Sequence, residues 1–135
     1  MPETSLKIGD LARRTDTKVV TIRYYERIGL MPTPERGSGN YRSYAPDAVA
    51  RLRFIRRCRG LGFSLDQVRE LLVLSSSTGM PCDDADRLVT DQLGEVEAKI
   101  ADLESIAREL RRIASLCEGG GTVSQCRVIQ AIAPG

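Results

Sequence analysis

Three of the four cysteines in this chain have the spacing of a metal site. Cys82 and Cys117 lie 35 residues apart, which is five heptads, and Cys126 follows Cys117 by nine residues. Thiolates are soft ligands that bind ions such as Hg(II), Pb(II), Cd(II), Zn(II) and Cu(I) in preference to hard ions. The sequence contains no histidine, so no imidazole can contribute to the site.

The segment between Cys82 and Cys117 has the apolar repeat of one long helix. Apolar residues recur every three or four positions, at Val89, Leu93, Val96, Ile100, Leu103, Ala107, Leu110 and Ala114. Both thiols continue this register, which predicts that they project from one buried seam. Such a helix is roughly 50 Å long, so the two thiols cannot meet within one chain.

A second copy of the helix would bring the thiols together. In an antiparallel pair, Cys82 of one subunit lies beside Cys117 of the other, and Cys126 follows after a glycine-rich turn. The register places the two-fold axis between Lys99 and Ile100. The pattern therefore predicts a homodimer with a three-thiolate site at each end.

Cys58 invites a simpler interpretation. It lies between arginines on a predicted helix, in phase with Phe54 and Ile55, which predicts a small buried side chain and not a ligand. Cys82 and Cys117 could also be ordinary seam residues. Their shared heptad phase and the third cysteine favour metal binding.

The charge of the chain is divided between its halves. Residues 1–70 hold 14 Lys/Arg and 8 Asp/Glu, a net charge of +6, whereas residues 71–135 hold 6 and 10, a net charge of −4. A basic front half before an acidic heptad helix indicates a nucleic-acid module joined to an assembly helix. No signal peptide or membrane-spanning run is apparent, which predicts a cytoplasmic protein with reduced thiols.

The front half has the organisation of a winged helix-turn-helix. Two short helices, from Ile8 to about Arg14 and from Val19 to Ile28, flank a tight turn, and residues 31–44 read as a hairpin wing. A third helix begins at Pro46, and Ser64 caps a fourth. The predicted fold is mostly α, with a winged helix-turn-helix DNA-binding domain followed by a long antiparallel coiled-coil dimerisation helix.

These elements give four expected regions. The DNA-binding region and its connecting helices occupy residues 1–74, and a linker occupies 75–82. The dimerisation helix spans 83–117. A metal-binding loop and a short C-terminal helix occupy 118–135.

Basic and aromatic residues of the front half are candidates for DNA contact. Arg23 and Tyr24 lie on the second helix, Tyr41 and Arg42 lie in the wing, and the third helix is rich in arginine, whose planar fork suits phosphates. Any single arginine could be a solvated surface charge, but the combination favours DNA. Tyr25, in phase with Ile22, is expected to be the more buried of the two neighbouring tyrosines.

The strings IGDLARRT, VVTIRYYERIGLMPTPER, GNYRSY and RLRFIRRCRGLGFSLDQVRELL resemble the MerR family of bacterial transcription regulators over essentially the whole chain. The resemblance implies a winged helix-turn-helix, an antiparallel coiled-coil homodimer and an effector site near the helix ends. It also implies contacts to double-stranded promoter DNA by Arg23, Tyr24, Tyr41, Arg42 and Arg59.

The resemblance also limits which metal ions are expected to act as the effector. Copper(I)-type relatives carry serine where this chain has Cys82, and zinc-type relatives carry an adjacent cysteine pair and a histidine, whereas Glu118 follows Cys117 here. With the copper(I)-type and zinc-type relatives set aside, the chain resembles the mercury, lead and cadmium sensors of the family. Cys58 is closer to lead and cadmium members, the GFSLD string to mercury members, and the eight-residue loop before Cys126 to mercury or lead members. These features leave Hg(II), Pb(II) and Cd(II) open.

The resemblance implies a regulator that stays on its promoter in both states. Metal bound by Cys82 of one subunit and by Cys117 and Cys126 of the other would change the DNA so that RNA polymerase can transcribe heavy-metal resistance genes. An enzyme is not expected, because the chain has no Ser-His or Cys-His pair and no phosphate-binding glycine motif. The alternative is a thiol-based metal-buffering or redox-sensing protein without operator binding, which leaves the basic front half unexplained.

Overall fold

The computed structural model describes residues 5–36, 42–116 and 119–134, and its elements are mainly helical. In chain order they are α1 (Ile8–Thr15), α2 (Val19–Arg27), β1 (Glu35–Arg36), β2 (Arg42–Ser43), α3 (Asp47–Gly60), α4 (Leu65–Ser75), α5 (Asp83–Ala114) and α6 (Arg127–Ile132), with a 3₁₀ turn (Val123–Gln125) before α6. None of the helices in the described ranges combines the length and the apolar composition of a membrane-spanning segment.

The first two helices form a helix-turn-helix. α1 ends at Thr15, and the next residue, Asp16, adopts the left-handed conformation (φ 51°), one that Asp tolerates better than most residues. The Thr17 amide then donates to the Ala12 carbonyl over 3.0 Å. α2 is followed by Gly29, whose φ of 82° suits glycine at a helix end. The predicted pair of short helices is confirmed.

A short hairpin follows, as predicted for the wing. β1 and β2 are antiparallel, with Glu35 opposite Ser43 and Arg36 opposite Arg42. An isolated bridge joins Leu6 to Tyr44 through two backbone hydrogen bonds of 2.8 and 2.9 Å. This bridge attaches the base of the hairpin to the segment before α1.

The helices α1 to α4 enclose one apolar core. Ser64 precedes α4 and forms a capping box with Gln67. The Ser64 hydroxyl accepts a hydrogen bond from the Gln67 backbone N–H, and the Gln67 side-chain oxygen accepts one from the Ser64 backbone N–H. Tyr25 is half-buried against the core and Tyr24 is exposed, as predicted. The largest fully buried side chains are Leu11, Ile22, Leu30, Met31, Leu52, Ile55 and Val68.

The chain forms two compact units that divide between Leu88 and Val89. The first unit extends past the expected boundary at residue 74, because Leu88, in the second turn of α5, packs against the apolar core. The second unit contains the rest of α5, the 3₁₀ turn and α6.

The long helix ends earlier than predicted. α5 stops at Ala114, and a tighter turn follows, in which the Leu116 amide donates to the Ile113 carbonyl over 3.0 Å. The heptad pattern identifies the apolar face of α5 but does not show where its last turn ends. Gly119, Gly120 and Gly121 follow a few residues later. Cys117 follows this turn and lies outside the described residues.

Candidate functional site

The outward side of α2 combines charge, an aromatic ring and one aliphatic side chain. Val20, Arg23, Tyr24 and Arg27 are all exposed, and helical spacing places them on one face. Ile22, on the opposite face, is fully buried. The Arg27 guanidinium lies 5.6 Å from the centre of the Tyr24 ring, within the distance at which a cation is attracted to an aromatic face.

The wing is joined to α2 by a side-chain hydrogen bond. The Tyr44 hydroxyl donates to the Glu26 carboxylate, with oxygen distances of 2.9 and 3.1 Å. Tyr44 is 2% exposed, so this bond satisfies a hydroxyl that would be costly to bury alone. It connects Tyr44, which directly follows β2, to the helix that presents Arg23. Arg42 lies in β2, and Tyr41 lies outside the described residues.

Several arginines of α3 and α4 bind backbone carbonyls near the ends of α1 and α2. Arg53 donates to Arg14 over 3.1 Å, and Arg56 donates to both the carbonyl and the carboxylate of Asp16. Near the end of α2, Arg51 donates to the Leu30 carbonyl and Arg69 donates to the Ile28 carbonyl, each over 2.7 Å. Carbonyls near helix C-termini need partners, and cations are favourable there. These arginines therefore join the helix-turn-helix to α3 and α4.

Arg59, a predicted DNA contact, also has a partner within the chain. Its guanidinium Nη1 donates to the Phe63 carbonyl over 2.7 Å. With Lys18 and Arg56 it lines a cavity of about 350 Å³ beside the helix-turn-helix. The Asp16 carboxylate, which Arg56 binds, lines the same cavity, so the charge that favours an anion such as phosphate comes from Lys18 and Arg59.

Cys82 is an exposed thiol of the first unit. It directly precedes α5, and its carbonyl accepts the Asp86 amide over 2.9 Å. The positive end of the helix dipole favours negative charge at this position. Cys82 also borders an apolar cavity of about 400 Å³ that is lined by Phe54 of α3 and Leu71 of α4.

Cys126 is a half-buried thiol of the second unit. It lies between the 3₁₀ turn and α6, beside a cavity of about 350 Å³ lined also by Gln125 and Arg127. The same cavity is lined by Gly119, Gly120 and Gly121, whose φ values are 86°, 77° and 84°. This loop depends on glycine, because other residues rarely adopt such a backbone.

Cys58 differs from both of these thiols. It is 6% exposed within the apolar core of the first unit, as predicted. Burial raises the pKa of the Cys58 thiol, because the charged thiolate is poorly solvated there. Cys58 is therefore the least suited of the three described thiols to bind an ion from solution.

The described part of a single chain does not assemble the predicted metal site. Across residues 5–36, 42–116 and 119–134, no three Cys, Asp or Glu side chains are close enough to hold a metal ion. Cys82 and Cys126 belong to different units, and Cys117 is outside the described residues. The accessibility of Cys82 and Cys126 nevertheless suits two soft donors.

The second unit exposes a long apolar stripe along α5. The large apolar side chains of the heptad repeat are 38–64% exposed, and Ile106, which the heptad analysis did not include, is 54% exposed. The predicted antiparallel register, which would pair Ile106 with Leu93 of a second copy, is the signal that could have identified it. The stripe contains Val89, Leu93, Val96, Ile100, Leu103, Ile106 and Leu110.

Comparison with known proteins places this architecture in one family. Residues 6–74 match the model of the MerR HTH family regulatory protein, and residues 49–113 match the model described as MerR, DNA binding. The chain is 38% identical over 131 residues to the HTH-type transcriptional regulator ZntR of Escherichia coli K12, covering 96% of this chain and 93% of that protein.

Two solved structures are also similar over nearly their full lengths. One is the transcription regulator PbrR691 of Ralstonia metallidurans CH34 in complex with lead(II): 35% identity, TM-score 0.83, 95% of this chain and 99% of that chain. Another is MerR of Bacillus megaterium MB1 in complex with mercury(II): 30% identity, TM-score 0.70, 94% and 98% of the two chains. The chain therefore belongs to the MerR family of helix-turn-helix transcription regulators, which are not enzymes.

Proposed function

We propose that this chain is a cytoplasmic homodimeric regulator that binds promoter DNA and activates heavy-metal resistance genes when it binds Hg(II), Pb(II) or Cd(II). The observation that carries the proposal is the contrast among its thiols: Cys82 and Cys126 are accessible, whereas Cys58 is buried in the core. Relatives solved with lead(II) and mercury(II) support a soft metal. Relatives that are 30–38% identical to this chain do not identify its metal, so the metal must be inferred from the donor set of this chain.

In this proposal the exposed stripe on α5 forms an antiparallel dimer. Leu103 lies opposite the partner's Val96, and Cys82 lies beside the partner's Cys117. Burying one such aliphatic side chain contributes about 1.5–3 kcal/mol, so the seven exposed members of the stripe supply a substantial driving force. Each end of the dimer then holds Cys82 from one subunit and Cys117 and Cys126 from the other.

The metal would act as a crosslink between units of different subunits. Cys82 lies in the first unit, next to a cavity lined by Phe54 and Leu71 of the helices that hold the helix-turn-helix. Cys126 lies in the second unit. Joining them across the dimer changes the angle between the two DNA-binding units only if the metal prefers one arrangement. Distorting a promoter for RNA polymerase in this way costs on the order of 1–6 kcal/mol.

The proposed DNA contacts are Arg23, Tyr24, Tyr41, Arg42 and Arg59. Exposure of Arg23 and Tyr24 on α2 supports their assignment. Arg59 keeps its bond to the Phe63 carbonyl and offers its remaining N–H groups to phosphate. The hydrogen bond between Tyr44 and Glu26 supports coordinated binding by wing and helix.

A metal competition experiment tests the proposal. The purified chain is titrated with Hg(II), Pb(II), Cd(II) and Zn(II), and thiolate-to-metal absorbance is recorded together with transcription from the target promoter. Binding and activation by the softer ions, lost in Cys126→Ser and kept in Cys58→Ser, are the expected results. Metal binding without any DNA binding would instead identify a metal-buffering protein.

A further inference from the structure

Val20 is an exposed aliphatic residue at the centre of a face otherwise suited to DNA. It is 66% exposed near the start of α2. At 100° per residue, Arg23 and Arg27 lie to one side of it and Tyr24 lies to the other, all within about one third of the helix circumference. Val20 thus lies inside the outward face and not at its edge.

The fold gives no reason for valine at this position. Its side chain is outside the core that Ile22 enters from the same helix. Valine is also a weaker helix former than alanine, because its branched side chain loses rotational freedom. Isolated exposed aliphatics are common on protein surfaces, so the evidence for a role lies in the surroundings of Val20.

Those surroundings match one apolar group on duplex DNA. The 5-methyl group of thymine is the apolar feature that a base pair presents in the major groove, and aliphatic side chains contact it. Arg23 and Arg27 supply the cations that hold the helix against phosphates. The net charge of +6 over residues 1–70 favours an anionic partner for this face over a neutral protein surface.

We propose that Val20 reads a thymine methyl group at one position in each half-site of the operator. The inference rests on the proposed function, because it requires specific binding to duplex DNA. It adds a specificity-determining residue to the contacts of Arg23 and Tyr24. The expected loss on removing the methyl group is about fourfold in affinity, the value of one buried methyl-sized group.

Selection followed by methyl removal tests this inference. The purified full-length dimer selects its operator from a random duplex library, and each thymine of the selected site is then replaced in turn by uracil, which lacks the methyl group. Wild-type protein should lose about fourfold in affinity at one position per half-site. Val20→Ala lacks the two γ-methyl groups and should lose clearly less affinity than wild type when that thymine is replaced by uracil.

Val73→Ala is the matched control, because Val73 is 61% exposed but lies on a different helix, α4. It should keep the full response to uracil, and circular dichroism should show that both variants remain helical. Specific binding by wild type with no effect of uracil anywhere would overturn the role of Val20 alone, as would a Val20→Ala protein that keeps the wild-type response. Failure to select any duplex would overturn the proposed function as well.

Discussion

The two units of this chain bury their apolar residues to very different extents. Among the described residues, all but one of the buried apolar side chains belong to the first unit, and the exception is Ile113 of α5. The second unit instead exposes the apolar stripe from Val89 to Leu110. The first unit can therefore fold around its own core, whereas the second requires another surface to cover its stripe. This difference is why we assign DNA binding to one unit and assembly to the other.

The largest expected effect comes from charging the stripe. Leu103→Asp would place an uncompensated carboxylate at the centre of the proposed seam in each subunit, at a cost of about 3–5 kcal/mol. Sedimentation should show loss of the dimer. Ser105→Asp, which adds the same charge two residues away on the other side of α5, should remain dimeric. A stable Leu103→Asp dimer would remove the stripe from the interface.

A smaller effect is expected from the outward face of the first unit. Arg23→Gln should weaken operator binding by about 1–3 kcal/mol, the usual value of a good arginine contact to a base. Neither the dimer nor metal uptake should change, because Arg23 is exposed on α2 and remote from the α5 stripe in sequence. Binding is measured at physiological salt, and an unchanged affinity would show that Arg23 does not touch DNA.

Arg56 tests whether the first unit uses its own arginines for folding. Arg56→Gln removes bonds to the carbonyl and carboxylate of Asp16. It should lower the free energy of unfolding by no more than about 0.5–1 kcal/mol, since Arg56 is half-exposed and the Asp16 side chain is almost fully exposed. The salt dependence of operator binding should stay the same. A slope reduced by about 0.9 would instead indicate a lost phosphate contact.

Arg57→Gln is the matched control for Arg56. Arg57 lies on the same helix and is exposed. Among the described residues, the Arg57 side chain makes no hydrogen bond to the end of a helix. Its replacement removes a favourable charge from the last turn of α3 but no such bond, so it should lower the free energy of unfolding less than Arg56→Gln does.

The smallest effect concerns the buried thiol. Burial raises the pKa of Cys58 above its ordinary value of 9.0, so the folded chain keeps a proton that the unfolded chain releases at high pH. Stability from this source is fully present below pH 9.0 and falls as pH rises above it. Cys58→Ala should lessen the loss of stability between about pH 8 and about pH 10 in urea titrations. Cys82→Ala, which removes an exposed thiol, should not.

Local signals in the sequence predicted most of the first unit. Gly29 and Ser64 marked helix boundaries correctly, and the phase of Ile22 identified the buried face of α2. The roles of Arg53 and Arg56 could not be predicted, because their carbonyl partners lie 39 and 40 residues away in sequence. An arginine-rich helix looks the same in sequence whether its side chains bind phosphates or carbonyls.

The second unit was less predictable from the sequence. The heptad repeat predicted the apolar face of α5, but the predicted helix extended to residue 117, beyond the observed end at Ala114. The metal site remains a prediction, because its three thiols are not assembled within the described part of one chain. Cysteine spacing suggests the site, but its geometry depends on a second subunit.

Metal binding by mixed mutant dimers tests the central claim most directly. Cys82→Ser and Cys117→Ser homodimers should each fail to bind metal. In their heterodimer, Cys82 from the second chain meets Cys117 and Cys126 from the first, so one of the two sites should recover. A Cys117→Ser and Cys126→Ser heterodimer is the matched control and should recover none, because each end lacks one thiolate. The two heterodimers are purified through different tags on their two chains and titrated with metal while absorbance is recorded. The first heterodimer should bind half as much metal as the wild-type dimer, and the second should bind none. No metal binding by either heterodimer would contradict a site shared between subunits.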